Sequence, residues 1–223
     1  MPKKPETYPP APWALTGQMY SSVWWVPASS CTVSLDPELV PVRVAGRVCV
    51  ATVFVHYQPG SVLTYHEVLG GLLVRHARTG RTGLTVPFIW VDSASSKQGG
   101  RELWGVPKEL ARFTFDHNAP GGGFSGEAWD ESGRPLLSAR FTGELGLPGS
   151  VRPKLALPSL QPLRGELHEA QASIECAPRV MRARYTVPPE SPLAALGIAG
   201  RRPLLSTWLK DFRTLLQAAT PIS

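Results

Sequence analysis

The sequence predicts an α+β fold that is mainly β and barrel-like, ending in a C-terminal helix. Three observations lead there. Runs rich in Val, Phe, Trp and Thr alternate apolar and polar residues through most of the chain. Between the runs recur turns built on Gly, Pro and Asp, drawn from 21 Gly and 23 Pro in 223 residues. Only the C-terminal segment spaces its apolar residues as a helix does.

The elements follow in order. Residues 1–12 carry five prolines and no apolar periodicity, which predicts a Pro-rich tail, extended or strapped across a neighbour. Residues 13–223 are left as one domain. Val23-Trp24-Trp25-Val26 reads as a strand stopped by Pro27. Asp36-Pro37-Glu38-Leu39-Val40 has the chemistry of a helix start, and Pro41 holds it to one turn. Val42 to Tyr57 is β-rich with a bend near Gly46, and Leu69 to Ala77 and Leu84 to Val91 are strands flanking the turn Thr79 to Gly83. Ala111 to Asp116, Phe124 to Trp129 and Leu136 to Thr142 form a meander with one covered face. Prolines at 148, 153, 158 and 162 exclude a long helix there. Gly165 to Cys176 and Val180 to Val187 are two further strands. Leu204, Leu205, Trp208, Leu209, Phe212, Leu215 and Leu216 share one helical face, which predicts a helix from Pro203 to Ala218.

Composition removes several functions. No run approaches the roughly 18 apolar residues of a membrane span, and no signal-peptide core follows Met1, so the expected location is the cytoplasm, with no membrane partner. Cys31, Cys49 and Cys176 lie far apart without metal-ligand spacing and are expected to be free thiols. The formal charge is +6, yet 17 of the 23 basic residues are scattered arginines, so no nucleic-acid partner is expected. There is no GxSxG, HExxH, Walker loop or GxGxxG, and the five histidines show no metal spacing. No metal and no cofactor are expected.

One segment carries chemistry: Gly99-Gly100-Arg101-Glu102-Leu103-Trp104-Gly105-Val106-Pro107-Lys108-Glu109-Leu110-Ala111. Pro107 fixes its own φ and biases Val106 to extended backbone. Lys108 therefore follows a rigid step among apolar neighbours. Desolvation lowers a lysine pKa by penalising the charged form, and a neutral amine attacks carbonyls. The plain alternative is a surface lysine with a snorkelling stem.

Gly100-Arg101-Glu102-Leu103, then three residues and Pro107-Lys108, resembles the GREL and PKK signature of the acetoacetate decarboxylase family. Tyr65-His66-Glu67 resembles its Tyr-x-Glu element, and Asp92 falls where members carry an Asp closing a strand. The likeness is sharp from Tyr65 to Ala111 and covers most of the chain from about residue 20. It implies a β-barrel with an attached antiparallel sheet, in a homo-oligomer. It implies Lys108 as the Schiff-base lysine and Glu67 as the group that orients substrate or handles protons. Acetoacetate decarboxylase is itself a standard example of a lysine activated by its surroundings. Tyr65, Trp104, Arg101 and Glu102 are candidate substrate contacts, with an Arg101–Glu102 ion pair as the structural alternative. Strand alternation sends His66 to the face opposite Glu67.

The resemblance implies a lyase acting on a small keto acid or related carbonyl compound, by decarboxylation or by aldolase- or dehydratase-type chemistry. Three positions depart from the pattern. Glu109 replaces a second lysine, Thr52 falls on a second glutamate, and no arginine lies near Ser21 to Trp25. Trp24, Trp25 and Trp104 are expected to make the pocket more apolar. The alternative is a catalytically silent small-ligand-binding protein of the same fold.

Overall fold

A computed structural model describes residues 8–120, 123–146 and 152–222. The expected tail lies outside the described residues as far as residue 7. Its described end packs down: Tyr8 and Ala11 touch the core, and Trp13 Nε1 donates to the Pro9 carbonyl at 2.9 Å.

The chain is mainly β. Its strands are β1 (Trp13–Pro27), β2 (Leu39–Pro41), β3 (Arg43–Val44), β4 (Arg47–Tyr57), β5 (Tyr65–His76) and β6 (Thr82–Val91), then β7 (Lys108–Asp116), β8 (Gly123–Asp130) and β9 (Pro135–Gly146). After them come β10 (Lys154–Leu163), β11 (Glu166–Thr186), β12 (Leu205–Leu216) and β13 (Thr220–Pro221). Among the described residues one α-helix occurs, α1 (Ala94–Trp104), as the crossover between the parallel strands β6 and β7.

The strands form a ring. From β5 the pairing runs through β6, β10, β11, β12, β1 and β4 and returns to β5. The meander β7–β8–β9 leaves this ring at β6 and rejoins it at the C-terminal half of β11. β4 serves both halves by alternation: Val55 and Tyr57 face the ring interior with Trp13, Trp104 and Phe212, while Val48, Val50 and Phe54 pack with Trp24, Phe124 and Phe141 beneath the meander.

Three expectations are corrected. The C-terminal helix is a strand: β12 pairs with β1 on one side and β11 on the other, burying Ser206 and Phe212 and exposing Asp211 and Arg213. Both ladders shift register there, and Asp211 takes a φ of 47°, so the bulge imitates helical spacing in the sequence. The one-turn helix at Asp36 is a turn, in which Asp36 Oδ1 accepts from the Glu38 amide at 2.9 Å before β2 begins. The two strands expected between Gly165 and Val187 are one, and Pro178 is accommodated beside a bulge.

Cys31, Cys49 and Cys176 are free thiols. Among the described residues no helix is long and apolar enough to cross a membrane.

Candidate active site

The residues of the motif acquire their positions from α1 and its exit. Ser93 caps the helix by accepting from the Ser96 amide. Gly105 ends it in a left-handed conformation, φ 67°, with its amide bonded to the Arg101 carbonyl and that of Val106 to Gly100. A Cβ at Gly105 would stand 2.2 Å from the Pro162 carbonyl oxygen, so only glycine fits. The Lys108 amide then turns back to the Val106 carbonyl at 2.8 Å, across the rigid proline. Lys108 opens β7 opposite Ile89 of β6.

Glu67 lies on β5, opposite Val91 of β6. Lys108 therefore reaches across β6 to meet it. Lys108 is 6% exposed and Glu67 is 3% exposed. Nζ lies 2.7 Å from Glu67 Oε2, 2.9 Å from Ser96 Oγ and 3.4 Å from Tyr65 OH. The second Glu67 oxygen accepts from Tyr57 OH at 3.1 Å. The ammonium thus points its three protons at three oxygens.

From sequence, burial is expected to depress the Lys108 pKa. Burial does pull it down, but the Glu67 carboxylate and the Tyr65 phenol beside it more than offset this, and the group is held above the usual lysine range. Lys108 is an ammonium at neutral pH in this arrangement. Burial pushes the Tyr65 phenol up to about 12, against the opposing pull of Lys108. Burial, then Glu67, holds Tyr57 well above its ordinary range.

These groups end a cavity of about 200 Å³ inside the strand ring. Tyr57, Tyr65, Glu67, Lys108 and Ser159 are its polar lining among the described residues. Leu15, Val55, Leu69, Val86, Ile89 and Ile174 are among its apolar walls, and Trp104 closes one side, with its Nε1 held by the Gln217 carbonyl at 2.7 Å.

Lys108, Glu67, Tyr65 and Trp104 are therefore brought together. Arg101 and Glu102 do not line the cavity. Arg101 Nε donates to the Lys108 carbonyl at 2.7 Å, and its guanidinium pairs with Glu109, so it braces the lysine from behind. Glu102 instead accepts from Tyr8 and Gln98. Glu109 faces away from Lys108, as alternation along β7 requires, and also pairs with Lys97 at 2.8 Å. Trp24 lies in the other core, its Nε1 donating to Thr52 at 3.0 Å. Thr52 itself points there, so the pocket face of β4 is carried by Val53, Val55 and Tyr57.

Ser96 and Tyr57 were not singled out from sequence. Ser96 sits in a serine-rich helix start to which the sequence pattern assigned no element. Tyr57 is hidden because its pairing with Tyr65 joins residues of different strands.

His66 occupies the outer face of β5. Its Nδ1 bonds Asp92 Oδ2 at 2.7 Å, and its ring stacks on His56, whose Nδ1 meets His117 Nε2 at 3.0 Å. Among the described residues no group of His, Cys, Asp or Glu is arranged to hold a metal ion.

Comparison with known proteins bears on the family and the fold. The acetoacetate decarboxylase family model matches residues 1–163. The acetoacetate decarboxylase of Legionella pneumophila superposes with a TM-score of 0.75 at 17% identity, covering 100% of this chain and 92% of that one. An acetoacetate decarboxylase-like enzyme from Sphingomonas wittichii gives 0.68 at 17%, covering 96% and 93%. The enduracididine biosynthesis enzyme MppR, complexed with pyruvate, gives 0.68 at 18%, covering 96% and 91%. No curated protein sequence matches the chain significantly. At these identities the likeness to solved structures is one of fold.

Proposed function

This chain belongs to the acetoacetate decarboxylase family, and from that premise we propose that it is an enzyme whose Lys108 condenses with a small carbonyl compound to form a Schiff base. The observation that carries the reading is the buried pair of Lys108 Nζ and Glu67 Oε2, 2.7 Å apart at the end of an apolar cavity.

Each step has a group to perform it. Glu67 takes a proton from the Lys108 ammonium as the carbonyl carbon arrives. The freed amine adds to that carbon, and the carbinolamine oxygen leaves as water after receiving the proton back. Lysine ammonium and ketone have then become iminium and water, with Glu67 again a carboxylate. The iminium draws electrons from the adjacent carbon. Glu67, steadied by Tyr57 at 3.1 Å, is placed to remove a proton there and return it later. Ser96 and Tyr65 keep the nitrogen oriented.

This reading favours aldolase- or dehydratase-type chemistry, because the base adjoins the nitrogen. In keeping with this reading, a structure of similar fold shows MppR complexed with the condensation product of pyruvate and imidazole 4-carboxaldehyde.

The test is reductive trapping. The protein is incubated with pyruvate, acetoacetate and simple ketones and aldehydes, reduced with borohydride and mapped by peptide mass. A mass increment on Lys108 is expected. No increment on Lys108 with any of these compounds overturns the proposal.

A further inference from the structure

We infer that the Lys108 site takes an uncharged carbonyl compound with a short apolar chain and no carboxylate. The inference rests on the Schiff-base reading above and narrows its substrate.

Charge bookkeeping is the first argument. Among the described residues lining the cavity, Lys108 is the one cation and Glu67 the one anion, and they neutralise each other at 2.7 Å. Among the described residues no arginine or histidine lines the cavity. With an uncharged ketone bound as its iminium, the site holds one positive and one negative charge. With a keto acid bound, a second carboxylate joins Glu67 and the site carries a net negative charge. Burying that carboxylate with no further cation among the described lining residues to receive it is strongly unfavourable.

Nearby cations are committed elsewhere. The Arg101 guanidinium is behind the Lys108 backbone, bonded to its carbonyl and to Glu109. Lys97 is paired with Glu109 as well. Neither lines the cavity.

Shape gives the second argument. About 200 Å³ is the liquid volume of roughly seven waters. Leu69, Val86, Ile89 and Ile174 would surround the chain of a bound ketone and supply contacts that a hydrated carboxylate would forfeit. Leu157, 48% exposed, stands at the rim on β10, so the approach is apolar too.

The chemistry that follows is proton transfer. Glu67 removes a proton from the carbon next to the iminium, and the electron pair moves to form an enamine. The nitrogen loses its charge, and Glu67 becomes a neutral acid. That state buries no net charge, as an apolar cavity requires. The enamine carbon is then reprotonated, or adds to an aldehyde as second substrate.

The experiment compares methyl propyl ketone with levulinate. Both are methyl ketones on a five-carbon chain, ending in a methyl or in a carboxylate. Borohydride trapping on Lys108 is timed for each at equal concentration and scaled to the rate with free lysine amide. Solvent deuterium incorporation next to the carbonyl is followed by NMR. The ketone is expected to trap at least tenfold faster and to exchange its protons. Equal or faster trapping of levulinate overturns the inference while leaving the Schiff-base reading intact. Failure of every carbonyl compound to label Lys108 overturns both.

Discussion

Gly100 lies directly against the stem of Lys108: a Cβ at residue 100 would stand 2.6 Å from Lys108 Cδ and 2.7 Å from Cε. The glycine of the sequence motif is therefore the hollow into which the lysine folds. It lets a helix on the outside of the ring pack within contact of a side chain aimed inside. Gly99 does the same for Trp13, whose indole would stand 2.7 Å from an added Cβ.

Gly100→Ala tests that packing. Alanine is the better helix former by about 1 kcal/mol, so α1 is expected to persist while the Lys108 stem is displaced. Trapping on Lys108 should fall at least tenfold with the circular dichroism spectrum retained. Wild-type trapping in a folded variant would show that the close approach is unimportant.

Glu67→Gln removes the carboxylate that holds Lys108 protonated. Burial then acts with less opposition, and the Lys108 pKa moves down. The pH midpoint for acylation of Lys108 should shift to lower pH, although exchange at the neighbouring carbon should collapse. Loss of the partner to a buried charge should also destabilise the fold by about 3 kcal/mol. In the wild type the raised lysine pKa gives stability that is present at neutral pH and lost as pH rises through that value. An unchanged or raised midpoint would contradict the pairing.

Glu109→Lys restores the double lysine of the family motif. Because Glu109 points outward to Lys97 and Arg101, the acylation midpoint of Lys108 should not move. The exposed ion pairs it loses are worth about 1 kcal/mol or less each, so the melting temperature should drop slightly. A clear shift of the midpoint would mean that residue 109 does sense the site.

The histidine cluster outside β5 predicts acid sensitivity. Burial, then the neighbouring His66 and His117, lowers the His56 pKa from 6.5 to about 4. Burial first, then His66, also lowers that of His117. Between those values the unfolded chain takes up protons that folded His56 refuses, so stability present above pH 6.5 is lost as pH falls towards about 4. Melting temperatures measured across this window should fall, and fall less in His56→Asn. A flat wild-type profile would rule out this origin.

Much of the site was legible because its parts are local. Pro107 fixes the backbone before Lys108, and alternation alone puts His66 on the outer face. The roles of Arg101 and Glu102 were not legible. Their partners Glu109 and Tyr8 belong to β7 and the N-terminal segment, and only the C-cap of α1 turns Arg101 towards the Lys108 carbonyl.

The sequence by itself determined that the chain is mainly β and where most strands lie, and its resemblance to the acetoacetate decarboxylase family singled out Lys108 and Glu67 as candidates. These follow from alternation, turn chemistry and a short motif, all readable within a few residues. Tertiary structure decided the rest. Leu204 to Leu216 has helical spacing, yet β1 and β11 on either side supply ladder hydrogen bonds and make it a strand. The Lys108 pKa is likewise a long-range property. Local apolar neighbours argue for a depressed value, but Glu67 and Tyr65, more than forty positions away in sequence, come within hydrogen-bond distance and reverse it. Electrostatic energy depends on distance in space, and only the pairing of β5 and β7 with the two edges of β6 sets that distance.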